Sequence, residues 1–320
     1  MLRKSDRLFL SLLALLWVSS SIVSAQESIG VDSESRRFEF ESYADVATLA
    51  EELEYTADAW SAGIREVPRL FLTDIPPRWR DSTSREVTVQ VKKALFFRLL
   101  GPLALRANEL IANDRARAEN LETQLSTGAS LDPNNRQWLA RLAVRYRVIA
   151  DEAEELSEDA LQELLNYRIQ AVPVSLVLAQ AAEESGWGTS RFAAEGNALF
   201  GQWTWGGNSI RPEQQRAGLG DYGIAAFEAP LESVAAYMLN LNTHPAYEEL
   251  RARREDMVRA GERISGWELA NTLIHYSERG PEYVESLHTI MRVNRLDPAD
   301  DAYLSDGPTI FLVPVGIGAE

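Results

Sequence analysis

The chain contains no cysteine. Disulfides and thiolate metal sites are excluded, so 320 residues must hold together by packing and hydrogen bonding alone. Histidine is scarce as well. His244, His275 and His288 fall in no HExxH or similar spacing, so no metal is expected. Basic residues are the minority, 32 against 48 acidic ones, for a formal net charge of -16. Nucleic acid is thereby ruled out as the main partner, because phosphate binding needs a basic face. No GxSxG, P-loop or dinucleotide fingerprint occurs and no cofactor is expected. There is no repeat of fixed period and no low-complexity linker.

Long apolar runs are missing too. The one candidate, Leu8 to Val18, is short of the roughly 20 residues needed to cross a bilayer. It follows Arg3, Lys4 and Arg7 and precedes small residues ending Val23-Ser24-Ala25, the pattern of a secretory signal cleaved after Ala25. The mature chain is expected in the periplasm or outside the cell, with no membrane span.

What is present is a globular composition, 45% hydrophobic and 25% charged, organised mostly as helices. Gln26 to Arg37 reads as a polar leader. Asp45 to Ala62 carries Leu49, Leu53, Ala57 and Trp60 on one helical face, with Ser42 or Asp45 as cap. Pro68, Pro76 and Pro77 make Val67 to Trp79 an irregular connector. A long helical run follows, and Pro102 is expected to kink or split it. Further helices are predicted over Arg136 to Ile149, Glu158 to Arg168, from Pro230 onward, Trp267 to His275 and Tyr283 to Asn294. Between them, Gln202 to Phe227 is aromatic and rich in breakers and reads as a small hairpin lobe. The tail from Asp306, broken by prolines and glycines, is given no firm structure. The expected division is 1–25 signal, 26–135 N-terminal helical region, 136–300 main domain and 301–320 tail.

The most informative stretch is Pro173 to Gly201, PVSLVLAQAAEESGWGTSRFAAEGNALFG. Pro173 suits a helix start, Val174, Val177, Leu178, Ala181 and Ala182 form an apolar stripe, and Gly186 with Gly188 ends it. Glu184 therefore falls in the last turn, at the negative end of the helix dipole. With Trp187 and Phe200 against it, its protonated form would be favoured near neutral pH. A carboxyl group of that kind can protonate a leaving-group oxygen. Glu183 is rotated about 100° away and is expected to face solvent.

Four blocks in order, AQAAEESGWGTSRFA, GNALFGQWTW, NLNTHPAY and YSERGPEYV, span Ala179 to Val284 and resemble the Bax-type branch of bacterial peptidoglycan glucosaminidases. The resemblance implies a mainly α, lysozyme-like catalytic domain over 136–300 with a small β-hairpin lobe, preceded by a packed N-terminal helical region. It implies cleavage of β-1,4 bonds in cell-wall glycan, with Glu184 as the acid. It places a functionally important tyrosine at Tyr276 or Tyr283 and sets Asn197 beside the cleft.

The second catalytic group is sought in the lobe, where Glu213, Asp221 and Glu228 are the carboxylates. Glu213, about thirty residues after the acid, is the choice by the separation seen in relatives. Alternatively the substrate's acetamido group takes that role, with a tyrosine or asparagine orienting it. Trp203 and Trp205, with Trp187 and Phe200, are candidates for stacking on sugar rings, although alternating aromatics also suit the buried face of a strand. Rival readings are a muramidase or lytic transglycosylase of the same fold, and a non-catalytic wall-binding scaffold.

Overall fold

A computed structural model describes residues 35–215 and 220–316, so the signal segment lies outside the described residues. The fold is mainly α. Its helices are α1 (Tyr43–Glu52), α2 (Ala57–Ser61), α3 (Val89–Ser126), α4 (Pro133–Arg145), α5 (Glu158–Glu163), α6 (Val174–Ser185), α7 (Arg191–Gly196), α8 (Pro230–Thr243), α9 (Glu248–Arg259), α10 (Gly266–Ala270) and α11 (Pro281–Asn294). Short strands are β1 (Arg36–Phe40), β2 (Glu66–Val67), β3 (Leu70–Leu72), β4 (Trp203–Thr204), β5 (Ser209–Ile210), β6 (Gly223–Ala225), β7 (Tyr303–Leu304) and β8 (Ile310–Pro314).

α3, 38 residues and so about 57 Å long, is the spine. It does not split at Pro102. Leu100 to Leu105 are all buried, and that packing on both sides of the proline offsets the missing hydrogen bond, worth about 3 kcal/mol in an isolated helix. The helix expected over Asp45 to Ala62 is two, α1 and α2. Ser42 caps α1 in a capping box with Asp45, and Thr56 restarts the chain by accepting from the Ala59 N–H.

α6 lies deeper than an amphipathic stripe implies. Every residue from Val174 to Ala182 is buried, because α3, α10 and α11 pack around it. Its N-terminus is stapled by Asp300, which accepts from the Ser175 N–H (2.7 Å), the Ser175 hydroxyl (2.8 Å) and the Gly266 N–H (2.9 Å).

The tail is not irregular. β8 is the central strand of a parallel sheet ordered β1-β8-β3, in register from Arg36 opposite Ile310 to Phe40 opposite Pro314. Ile310, Leu312 and Pro314 point inward with the two-residue period of a strand. Parallel pairing needs a long crossover, and here the helices between β3 and β8 supply it. β2 pairs β7 in the same sense, so the connector expected at Val67 to Trp79 is partly strand. One apolar core runs from Phe40 to Leu312 and joins the N-terminal helices to the rest. A second small core, Ala198, Trp203, Tyr222 and Ile224, lies in the β lobe, an antiparallel sheet ordered β4-β6-β5.

Candidate active site

α6 ends on three consecutive left-handed residues, Gly186 (φ 57°), Trp187 (φ 64°) and Gly188 (φ 75°). The two glycines adopt this readily, but Trp187 must be held there. Trp79 Nε1 donates to the Trp187 carbonyl (2.9 Å), and the Trp187 indole packs edge-on against Phe96 and Phe97 of α3, at 5.7 and 5.2 Å between centroids, beneath Lys93. Trp187 therefore faces the N-terminal helices. It anchors the turn that follows the acid.

Glu184 is half-buried in the last turn of α6. Its Oε1 accepts from the Tyr283 hydroxyl at 2.8 Å. One turn earlier on the same face is Gln180, fully buried, whose Nε2 donates to the Tyr283 oxygen (2.9 Å) while its Oε1 accepts from the Tyr237 hydroxyl. Chemistry dictates these directions. An ionised Glu184 can only accept, so Tyr283 uses its one proton there. The Tyr283 oxygen then takes the amide N–H, which turns the amide oxygen toward Tyr237.

Around this relay, Tyr276 stacks on Tyr283 (5.2 Å, 11°), Tyr247 lies 5.9 Å from Tyr276, and Phe200 stacks on Tyr237 (3.9 Å, 6°). The acid thus stands against an aromatic wall drawn from α8, α11 and the turns that carry Phe200, Tyr247 and Tyr276.

Burial first, and the charge of Glu184 among the further causes, pushes the phenols of Tyr237, Tyr276 and Tyr283 well above their ordinary range, and Tyr247 upward as well. They stay neutral donors throughout the working range. Because the folded values are raised, the stability they confer is complete below the unfolded phenol value of about 10 and is lost as pH climbs past it. The melting temperature should accordingly hold steady up to about pH 9 and fall above pH 10, with the exposed tyrosines, Tyr43 and Tyr303 among them, contributing phenolate absorbance at 295 nm from the folded protein and the buried four contributing only as the chain unfolds. Full phenolate absorbance from all ten tyrosines of the still-folded protein would contradict this.

The remaining sequence candidates occupy distinct places. Glu183 does not face open solvent. It pairs with Arg279 and accepts from the Ser286 hydroxyl (3.0 Å), tying α6 to the start of α11. Asn197 is the left-handed cap of α7 (φ 52°) and a buried clamp, accepting from the Ile75 N–H (2.9 Å) and donating to the Phe227 and Glu228 carbonyls (3.2 and 3.3 Å). Trp203 is buried in the lobe, stacked on Tyr222 (4.3 Å), whereas Trp205 is 39% exposed. Glu213 has a side chain 87% exposed, 4.0 Å from Arg191, and Asp221 is 93% exposed beside Arg211. Glu228 is exposed too. His244 caps the turn at Pro245–Tyr247 through Nδ1, accepting from the Ala246 N–H (3.2 Å).

Gln180, Tyr237 and Tyr247 were not foreseen. Gln180 left a signal, being a polar residue four positions before Glu184 within an apolar helix. The two tyrosines left none.

Among the described residues no group of histidine, aspartate and glutamate could hold a metal ion, and no helix is long and apolar enough to cross a membrane. A helical body with a small β lobe, and a carboxylate at the end of a buried helix facing neutral phenols, fits the class of helical glycoside hydrolases. The comparisons with known proteins narrow it. The family model for mannosyl-glycoprotein endo-β-N-acetylglucosaminidase matches residues 158–296. Protein bax of Escherichia coli (strain K12) is 30% identical over 205 residues, which cover 64% of this chain and 70% of that protein. No solved structure matches the chain. The chain belongs to the Bax-type glucosaminidase family.

Proposed function

We propose that this protein is a peptidoglycan hydrolase, an endo-β-N-acetylglucosaminidase that cuts the β-1,4 bond on the reducing side of N-acetylglucosamine. The observation that carries the reading is the Tyr283 hydroxyl donating to Glu184 Oε1 at 2.8 Å within the Gln180 relay. With Oε1 engaged as an acceptor, the proton to be delivered sits on Oε2. Glu184 passes it to the glycosidic oxygen as the bond to the anomeric carbon breaks.

On the other face of the sugar, the substrate's acetamido oxygen forms the new bond to the anomeric carbon. Two features support this over a lobe carboxylate. The groups packed about Glu184 are phenols, and Glu213 and Asp221 stand 87% and 93% exposed. The half-buried Tyr276 is suited to hold the acetamido group. Water then opens the cyclic intermediate, giving its proton to the Glu184 carboxylate, and the anomeric configuration is retained. The signal-like segment and the wall substrate support work outside the cytoplasm.

Mass spectrometry of fragments released from purified cell wall tests the reading. Reducing N-acetylglucosamine ends are expected. Anhydro-muramic ends would instead show a lytic transglycosylase, reducing muramic ends a muramidase, and binding without fragments a scaffold.

A further inference from the structure

A cavity of about 420 Å³ lies where the turn at Leu164–Arg168, the end of α8 and the start of α9 meet, within the range of roughly 300–1,000 Å³ usual for ligand pockets. Tyr167, Arg168, Thr243, Pro245, Glu248 and Arg251 line it, and none of them serves the chemistry above.

Its cations are unusual. Arg251 is 2% exposed, gives Nη1 to the Leu241 and His244 carbonyls (3.0 and 2.9 Å), and has a buried Nε with no hydrogen-bond partner. Behind it Arg254, 1% exposed, donates only to the Ala171 and Tyr167 carbonyls (3.1 and 3.2 Å). Of the carboxylates on the cavity wall, Glu163 is already paired with Arg168 (2.7 Å) and Glu248 is exposed. Burial, followed by the neighbouring guanidinium charges, draws Arg251 down to about 10 and Arg254 to about 9. Buried cations are normally paired with anions because leaving them unpaired is costly. Glu248 and Glu163 offset part of the charge on Arg251 without hydrogen-bonding to it, and Arg254 has no carboxylate among its neighbours, so the two cations leave a place for a further anion.

The cavity also borders the aromatic wall. Thr243 adjoins His244, whose ring lies 5.8 Å from Tyr247, itself 5.9 Å from Tyr276. The peptidoglycan reading supplies the anion, carried on a branch of the glycan strand that sits at Glu184. In peptidoglycan that branch is a stem peptide rich in carboxylates.

We propose that this cavity is a subsite for a carboxylate of the stem peptide, recognised by Arg251 and Arg168; the proposal rests on the peptidoglycan reading above. Arg251 is preorganised for the task, fixed by two carbonyls and lying against the Tyr167 ring (5.4 Å).

The test compares wall strands bearing their stem peptides with the same strands stripped of them by an amidase. The full-length protein is expected to cleave the bearing strands with kcat/KM about tenfold higher, the scale of one charge-assisted hydrogen bond. Arg251→Met should bring the ratio near one while cleaving stripped strands at the unaltered rate. Since Arg251 also caps α8, a second measurement uses the wild type alone: free stem tripeptide should inhibit cleavage of bearing strands, and the same peptide with its carboxylates converted to amides should not. Equal wild-type rates on both strands overturn the subsite alone, as does inorganic phosphate inhibiting as well as the tripeptide, which would mark a general anion site. No cleavage of either strand overturns the peptidoglycan reading itself.

Discussion

Glu184→Gln lowers kcat on purified cell wall by about a thousandfold, within the 10²–10⁴ that a positioned general acid contributes, and leaves KM little changed. Glutamine keeps the shape, and its amide oxygen can still accept from Tyr283, so the relay through Gln180 survives and the melting temperature should stay within a few degrees of wild type. What it lacks is the acidic proton on the second oxygen. Glu213→Gln is the matched control. On a side chain 87% exposed and only 4.0 Å-paired with Arg191, the change should alter kcat less than about threefold, since exposed ion pairs contribute little. Retained digestion by Glu184→Gln would remove the acid. A hundredfold loss in Glu213→Gln would return the second catalytic role to that carboxylate and discard the acetamido route.

Tyr283→Phe should have the next largest effect, a fall in kcat of roughly 10- to 100-fold, matching the 1.5–3 kcal/mol of a hydrogen bond to a charged group. Two consequences separate it from a general weakening of the fold. The lost bond stabilised the ionised form of Glu184, so its removal favours the protonated acid and the basic limb of the pH–rate profile moves to higher pH. It also leaves the Gln180 amide N–H buried without its acceptor, which costs about 1–3 kcal/mol of stability. Tyr276→Phe retains the stacked ring and the Tyr283 bond, so it should leave that limb in place and act through kcat/KM. A Tyr283→Phe profile superimposable on wild type would show that the 2.8 Å contact does not tune the acid.

Much of the site could be read locally. Gly186 and Gly188 end α6 where the glycines required, and so placed Glu184 in the last turn. The hairpin lobe followed from its breakers. The readings that changed were those depending on partners far along the chain. Trp187 packs its ring on Phe96 and Phe97, about ninety residues earlier in the chain. Glu183 is polar enough for solvent, yet Arg279 and Ser286 meet it. In the tail, prolines and glycines outweighed an apolar run whose pairing strands, β1 and β3, are some 240 to 270 residues away.

Sequence alone therefore determined on what helix, and at which end, Glu183 and Glu184 stand, because capping, glycine conformation and helical periodicity act within about one turn, while the family resemblance singled out Glu184 of the two. It also determined that stability comes without disulfides. Tertiary structure decided what the carboxylate meets. Tyr283, Gln180 and Tyr237 come from α11, α6 and α8, 46 to 103 residues apart along the chain, and packing brings them together. The same packing set the Trp187 ring against Phe96 and Phe97 and drew the tail into the centre of a sheet. Nothing in the local chain encodes those meetings, since the burial of complementary surfaces chooses them only when the whole core closes.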